Sequence, residues 1–571
     1  MSIRRFFQRH TRTVSHGEIH PDEIFIDAHN LPQFATERSE GIIERSISRV
    51  SIIGVGILCA IIGFIFLARL YVLEVHNGAS YALRSADNRL RHSIVFADRG
   101  VIYDRNNVPL VWNATRQSTQ DFSTRVFSDV EGVAHVVGYV QYPKVDAAGF
   151  YYSDRFVGQV GAERFFDSYL SGENGVMIVE TDSRGRISSQ SLFSPPHEGK
   201  TLTLAIDAMV TQQLQRSIKS LATKVGFKGG AGVIMDIYTG EVVALTSYPE
   251  FSPSLMTQAT QTAAIVKLQT DERSPFLNRA VSGIYTPGSI VKPYMALAAL
   301  KEKIIDPKKE ILSTGALSLP NPYSPDKPTI FRDWKAHGWV DMRTALAVSS
   351  NVYFFEVGGG FEEQKGLGIN AISRYMRMFG FGEEVPGDFF AGETGVVPDP
   401  QWKATHFDNE EWRIGDTYNT SIGQYGFQMT PMQAVRAVAS IANGGILVNP
   451  TIVYRGNDFG LATSTALPFT PGHLAVVQEG MRDGVLIGTA KALNISEVRV
   501  AAKTGTAELG SRKEFVNSWV IGYFPYDKPR YAFAVIMEHG PRDNLYGAVL
   551  VARELLQWMA VHTPTYIQNE D

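Results

Sequence analysis

Ser289 and Lys292 stand three residues apart in the stretch Gly283-Ile284-Tyr285-Thr286-Pro287-Gly288-Ser289-Ile290-Val291-Lys292-Pro293-Tyr294. Pro287 and Gly288 read as a loop, and the apolar run Met295 to Leu300 reads as the helix it opens into. Ser289 then takes an N-cap or first-turn position, where it and Lys292 share a helix face. A serine hydroxyl is a weak nucleophile until a base removes its proton, and a lysine held neutral is such a base. A helix start also offers unpaired backbone N–H groups to a developing oxyanion. These groups together permit acyl transfer through a serine ester.

A Ser-x-x-Lys pair is common, and a solvated helix start with a surface lysine explains most of them. Two distant stretches change its weight: Ser349-Ser350-Asn351 and Lys503-Thr504-Gly505-Thr506. Each has a bland reading alone. Ser349 suits a helix cap, Lys503 a strand end, and Thr504 any strand. All three in this order, so widely separated, argue against coincidence.

The 571 residues are too many for one domain. Hydrophobic content of 44% and charged content of 20% are those of a globular chain with a substantial core. A net charge of −4 gives no basic field for nucleic acid. The single cysteine, Cys59, permits no intrachain disulfide and no cysteine-based metal site. His337 with Asp333 and Asp341 reads as scattered polar residues, so no metal or cofactor is indicated.

Val50 to Ala68 is free of charge and long enough to cross a bilayer as a helix. Arg4, Arg5, Arg9, Arg12, Arg38, Arg45 and Arg49 precede it, which favours a cytoplasmic N-terminus. Residues 1–49 read as a mostly disordered tail. Leu70 to Ser93 reads as a helical stalk, and Ile102-Tyr103 with Pro109-Leu110 as a hairpin about Asn106-Asn107. His135 to Val140 and Gly199 to Asp207 read as strands, with a short helix from Gly161 between them. Farther on come a helix from Met209 to Lys224, strands at 231–236 and 241–247, and a loop leading to Ser289. Helices follow at 370–378, 430–443 and 472–483, strands at 498–503, 518–524 and 531–537, and a closing helix at 549–561. Strands, a helical block, more strands and a final helix make an α+β fold with an antiparallel sheet covered by helices.

The three motifs resemble those of the class B penicillin-binding proteins, the monofunctional peptidoglycan transpeptidases, from about Asp98 to the C-terminus. Arg99-Gly100-Val101-Ile102-Tyr103-Asp104-Arg105 is similar to the family's membrane-proximal signature, and Gly488-Thr489-Ala490 is similar to another landmark. Trp412-Arg413-Ile414-Gly415-Asp416-Thr417, Ser421-Ile422-Gly423-Gln424 and Glu393-Thr394-Gly395 resemble the elongation type. Asn351 departs from the Asp of many elongation-type enzymes and matches division enzymes, so a septal transpeptidase is the alternative. Only Asn106 to Ala134 separates the Arg-Gly signature from His135-Val136-Val137-Gly138-Tyr139, so the head subdomain of relatives looks reduced.

The resemblance implies a membrane-anchored chain. Residues 1–49 form a cytoplasmic tail, 50–69 a transmembrane helix, and 70–205 a stalk and reduced pedestal of the dimerisation type. Residues 206–563 form a transpeptidase domain with a five-stranded sheet, and 564–571 a C-terminal tail. It implies a catalytic domain outside the cytoplasmic membrane, acting on stem peptides ending in D-Ala-D-Ala and acylated by β-lactams. It implies Ser289 as nucleophile, Lys292 as base, Ser349 as proton relay, and Asn351 as ligand to Lys292 and the substrate amide. Lys503, Thr504 and Thr506 hold the terminal carboxylate, Gly505 admits the substrate backbone, and the N–H groups of Ser289 and Thr506 form the oxyanion hole. Lys292 is expected neutral and Lys503 charged. The implied partners are a glycosyltransferase of the SEDS group and the elongation machinery. A β-lactamase would need a deacylating glutamate; Glu410 and Glu411 lie in the right interval but lack its setting. A non-catalytic penicillin-binding sensor is the alternative from another class.

Overall fold

A computed structural model describes residues 48–568 except 88–89, 117–120, 148–150, 182–186, 322–325, 457–462, 511 and 543–546. The expected cytoplasmic tail lies outside the described residues. Two units are distinguished, Met1–Leu90 and Arg91–Asp571. In the first, helix α1 (Arg49–Tyr71) runs through a π-turn at Val72–His76, giving one apolar helix over Arg49–His76. At 1.5 Å per residue it is about 42 Å long, more than a hydrocarbon core needs. No residue of α1 is buried, because a uniformly apolar surface has no protein face to cover it. Helix α2 (Gly78–Asp87) continues the stalk. The expected helix ends there, and Leu90–Val95 is a strand.

The pedestal contains a four-stranded sheet. Strands β1 (Ile102–Tyr103) and β2 (Pro109–Asn113) form the expected hairpin; β3 (Arg125–Phe127) pairs with β2, and β4 (Leu202–Thr203) runs parallel to β1. His135 to Val137 belong to a helical turn, Ala134–Val137, not to a strand; only Tyr139–Gln141 is extended. Gly138, at φ 78°, breaks the turn. A short apolar run is compatible with either state by periodicity, and here the turn buries all four residues. Helix α3 (Gly161–Phe165) brings Glu163 to Arg99 (2.5 Å) and Arg125 (2.8 Å), all three side chains fully buried. The Arg-Gly signature is thus an internal clamp.

The second domain is built on five antiparallel strands: β5 (Gly229–Asp236), β6 (Val242–Tyr248), β7 (Ala501–Leu509), β8 (Phe515–Phe524) and β9 (Tyr531–Pro541). Their order is β6-β5-β9-β8-β7, so β7 is an edge strand. Its register sets Lys503 opposite Ile521 and Thr506 opposite Ser518. Side chains alternate between two cores. Val233, Met235 and Ile536 join one, while Ile234, Val535 and Met537 join the other. Helices α4 (Ala208–Val225) and, near the C-terminus, Ala548–His562 cover one face. The other core holds α5 (Lys292–Lys301), α6 (Met342–Val348), α7 (Asn351–Gly359) and α9 (Pro431–Ala442), while α8 (Ile414–Ser421) joins a smaller cluster through Tyr418, with Leu317 and Phe355. Thr430 caps α9 in a reciprocal box with Gln433. The stretch expected as loop before Ser289 contains two short helices, Pro253–Gln258 and Thr262–Gln269.

The hairpin between β1 and β2 is tied to the start of α4. Asp104 accepts from the backbone of Asn106, Val108 and Ala208, and Asn106 donates to Asp207 (2.9 Å). Tyr566 donates to the same Asp207 carboxylate (2.9 Å) and Ile567 is buried in the core, so part of the stretch expected as a tail packs on the domain.

Glu163→Gln leaves buried Arg125 without an anion and Arg99 with only the part-exposed Asp167. We expect about 3–5 kcal/mol of destabilisation, read as a fall in the urea midpoint. An unchanged midpoint would show that the cluster does not stabilise the pedestal.

Candidate active site

Ser289 lies in a 3₁₀ turn, Gly288–Val291, that runs directly into α5. The turn is anchored by its surroundings. Tyr285 and Met429 exchange backbone hydrogen bonds (3.0 and 3.1 Å), Gly288 N donates to Gly423 O (2.9 Å), and Trp519 Nε1 donates to Thr286 O (3.0 Å). The Ser421-Ile422-Gly423-Gln424 stretch thereby holds the Ser289 loop. The edge strand packs against it with no room for side chains. A Cβ on Gly505 would lie 2.6 Å from Pro287 O, and one on Gly288 would lie 2.8 Å from Thr506 O. Ser289 is half-buried at this contact.

Ser349 ends α6 and Ser350 opens α7. Ser349 adopts a left-handed conformation, φ 60° and ψ 41°, which is strained for a residue with a Cβ. That bend turns its hydroxyl toward two amines. Lys292 Nζ donates to Ser349 O (2.8 Å), Ser349 Oγ (3.3 Å) and Asn351 Oδ1 (2.8 Å). Lys503 Nζ donates to the same Ser349 Oγ (2.9 Å) and to Thr504 O (2.9 Å). One residue from each distant motif therefore meets at a single hydroxyl. Thr504 is half-buried and Thr506 exposed on the edge strand.

Both amines are buried. Burial lowers Lys292 to about 7, opposed by the negative charge of Asp333. Burial and the neighbouring Lys292 push Lys503 well below its ordinary value. Both amines are depressed, and burial is the leading cause for each. Ser349 Oγ accepts from both amines, which uses its two lone pairs and leaves its own O–H to donate elsewhere.

Asp333 is the residue that motif reading missed. Its Oδ2 accepts from Asn351 N (2.7 Å), Val352 N (3.0 Å), Ser350 Oγ (2.9 Å) and Ser313 Oγ (3.2 Å). It therefore sits on the N-terminus of α7 and holds the Ser-Ser-Asn turn in place. His337 lies 3.7 Å from its other oxygen, and Trp334 Nε1 donates to Val348 O (3.2 Å). Asp341, grouped with them in sequence, instead caps α6 through Thr344 N (2.8 Å). Nothing in the spacing of Asp333 marks it; only the fold brings it to α7. Glu410 pairs with Lys403 (3.4 Å), and Glu411 O accepts from the same Lys403 (2.7 Å).

Residues 230–557 match the model of the penicillin binding protein transpeptidase domain, and residues 117–204 that of the penicillin-binding protein dimerisation domain. The chain belongs to the class B penicillin-binding proteins. It is 30% identical over 456 residues to the peptidoglycan D,D-transpeptidase MrdA of Acinetobacter baumannii, covering 73% of this chain and 63% of that relative. Against MrdA of Escherichia coli K12 it is 26% identical over 591 residues, covering 85% and 90%. A solved structure described as structural coordination of polymerization and crosslinking by a peptidoglycan synthase complex matches with a TM-score of 0.69. Identity is 25%, covering 89% of this chain and 98% of that one. FtsI of E. coli K12 is 24% identical over 442 residues. Within class B, this penicillin-binding protein stands with the elongation type, as its Trp412 to Thr417 and Ser421 to Gln424 stretches imply.

Asp333→Ala strips four donors of their acceptor. We expect about 2–4 kcal/mol of lost stability and at least about tenfold slower acylation by penicillin, followed by mass spectrometry of the intact protein. Acylation at the wild-type rate would show that Asp333 does not set the turn's geometry.

Proposed function

We propose that this chain is a peptidoglycan D,D-transpeptidase of cell-wall elongation. Its α1 helix anchors it in the cytoplasmic membrane, with the catalytic domain on the outer side. The observation that supports the reading best is the convergence of Lys292, Asn351 and Lys503 on the Ser349 turn, with Lys292 three residues after the half-buried Ser289.

Ser289 attacks the carbonyl carbon between the two terminal D-Ala residues of a stem peptide. Its proton passes to Lys292, which at about 7 is poised between its two forms at neutral pH. The tetrahedral oxyanion rests on the backbone N–H groups of Ser289 and Thr506. The C–N bond then breaks, and the O–H of Ser349, its lone pairs already engaged, protonates the leaving amine. Lys292 returns the proton to Ser349. D-Ala departs and an ester on Ser289 remains. The amine of a neighbouring stem peptide attacks that ester, closes the crosslink and frees Ser289.

The terminal carboxylate of the donor peptide binds Thr504, Thr506 and Lys503. An arriving anion raises the amine it faces. It therefore draws charge onto Lys503 and keeps Lys292 neutral, one amine electrostatic and the other basic. β-Lactams enter by the same route and stay as esters. Asn351 holds Lys292 and meets the substrate amide through its two-sided side chain. The relative in a peptidoglycan synthase complex supports a membrane glycosyltransferase, of the SEDS group, as the polymerising partner.

Two outcomes follow. Fluorescent penicillin labels the wild-type chain and fails to label Ser289→Ala; label retained on the variant would refute the nucleophile. The second-order acylation rate rises with pH through about 7, as Lys292 loses its proton, and levels off above it. A rate that falls over that interval would assign the base elsewhere. For the cellular role, depletion yields rounded cells, whereas filaments would favour the septal alternative.

A further inference from the structure

Gly488-Thr489-Ala490 takes no part in the chemistry above, yet it bridges the second and third motifs. Thr489 lies just after helix α10 (Pro471–Leu486). Its backbone N–H donates to Ala347 O (3.1 Å), in the last turn of α6 two residues before Ser349. Ala490 N donates back to Gly484 O (2.9 Å), which fixes the turn onto α10. Thr489 is exposed, and its hydroxyl lies 2.6 Å from the hydroxyl of Thr504 on the edge strand. Such a short contact between two hydroxyls has one donor and one acceptor. The accepting hydroxyl then has its proton free for a ligand, and donating to it strengthens that next bond.

We propose that Thr489 is a positioning residue for recognition of the substrate's terminal carboxylate. Thr489 donates to Thr504 Oγ1 and thereby commits the Thr504 proton to the carboxylate of the donor peptide or β-lactam. Without Thr489, the Thr504 hydroxyl rotates freely or turns its lone pairs toward the anion. The effect therefore falls on the charged terminus and not on the reacting carbonyl. This rests on Thr504 meeting the carboxylate, as proposed above.

The test compares benzylpenicillin with its uncharged methyl ester. For each, the second-order acylation rate constant of Ser289 is measured on the full-length protein, and their ratio reports carboxylate recognition alone. Thr489→Val is expected to lower that ratio about tenfold, roughly one charge-assisted hydrogen bond, while Thr489→Ser keeps it within about threefold of wild type. Thr504→Val lowers the ratio at least as far, and the double variant loses no more than Thr504→Val does, because one acts through the other. Thr489→Ala replaces the valine variant should the latter fail to fold. If Thr489→Val slows both compounds equally and Thr504→Val still lowers the ratio, Thr489 is structural only and the inference is overturned. If Thr504→Val leaves the ratio unchanged, the carboxylate assignment itself fails, and this inference with it.

Discussion

Two lysine amines, both buried, share one serine hydroxyl. Removing a charged amine from water costs several kcal/mol unless partners replace the hydration. Lys292 has three acceptors, the Ser349 carbonyl, the Ser349 hydroxyl and Asn351, and Lys503 has the same Ser349 hydroxyl and Thr504 O, so the two amines compete for one oxygen. Holding both ammonium groups charged against one another is therefore unfavourable. The pair favours losing a proton, which is the state a base requires.

That arrangement needs backbone in unusual places. Ser349 is held left-handed between two helices, and Asp333 offsets the strain by capping the second of them. The Ser289 turn lies against the edge strand at a distance that glycine at 288 and 505 allows. Behind both stands a sheet whose strands are buried on two faces, so it cannot shift register without exposing one core or the other. Precision at the hydroxyl is inherited from this rigidity.

The pedestal uses a second buried charge cluster for a different end. Arg99 and Arg125 close on Glu163 and make the small domain rigid. Its hairpin joins the catalytic domain at Asp207, where Asn106 and Tyr566 meet one carboxylate. Both clusters obey one rule: buried charge is kept only where geometry is tightly determined.

Residue types and their order along the chain singled out Ser289, Lys292, Ser349, Asn351 and Lys503 as a set suited to serine acyl transfer, and the fold gathers Lys292, Asn351 and Lys503 at the Ser349 turn. The long strands and helices were legible too, because periods of two and 3.6 mark which face is buried. Short segments were not: His135 to Val137 carries an apolar run that suits strand or helix, and only its packing chose the helix. Nor was Asp333, a polar residue without a period, whose meaning arises from lying beside α7. The protonation of the two lysines was likewise beyond residue type. A lysine's ordinary value belongs to water, and burial beside a second amine exists only in the folded chain. Identity is local, whereas desolvation and proximity are properties of the assembled fold.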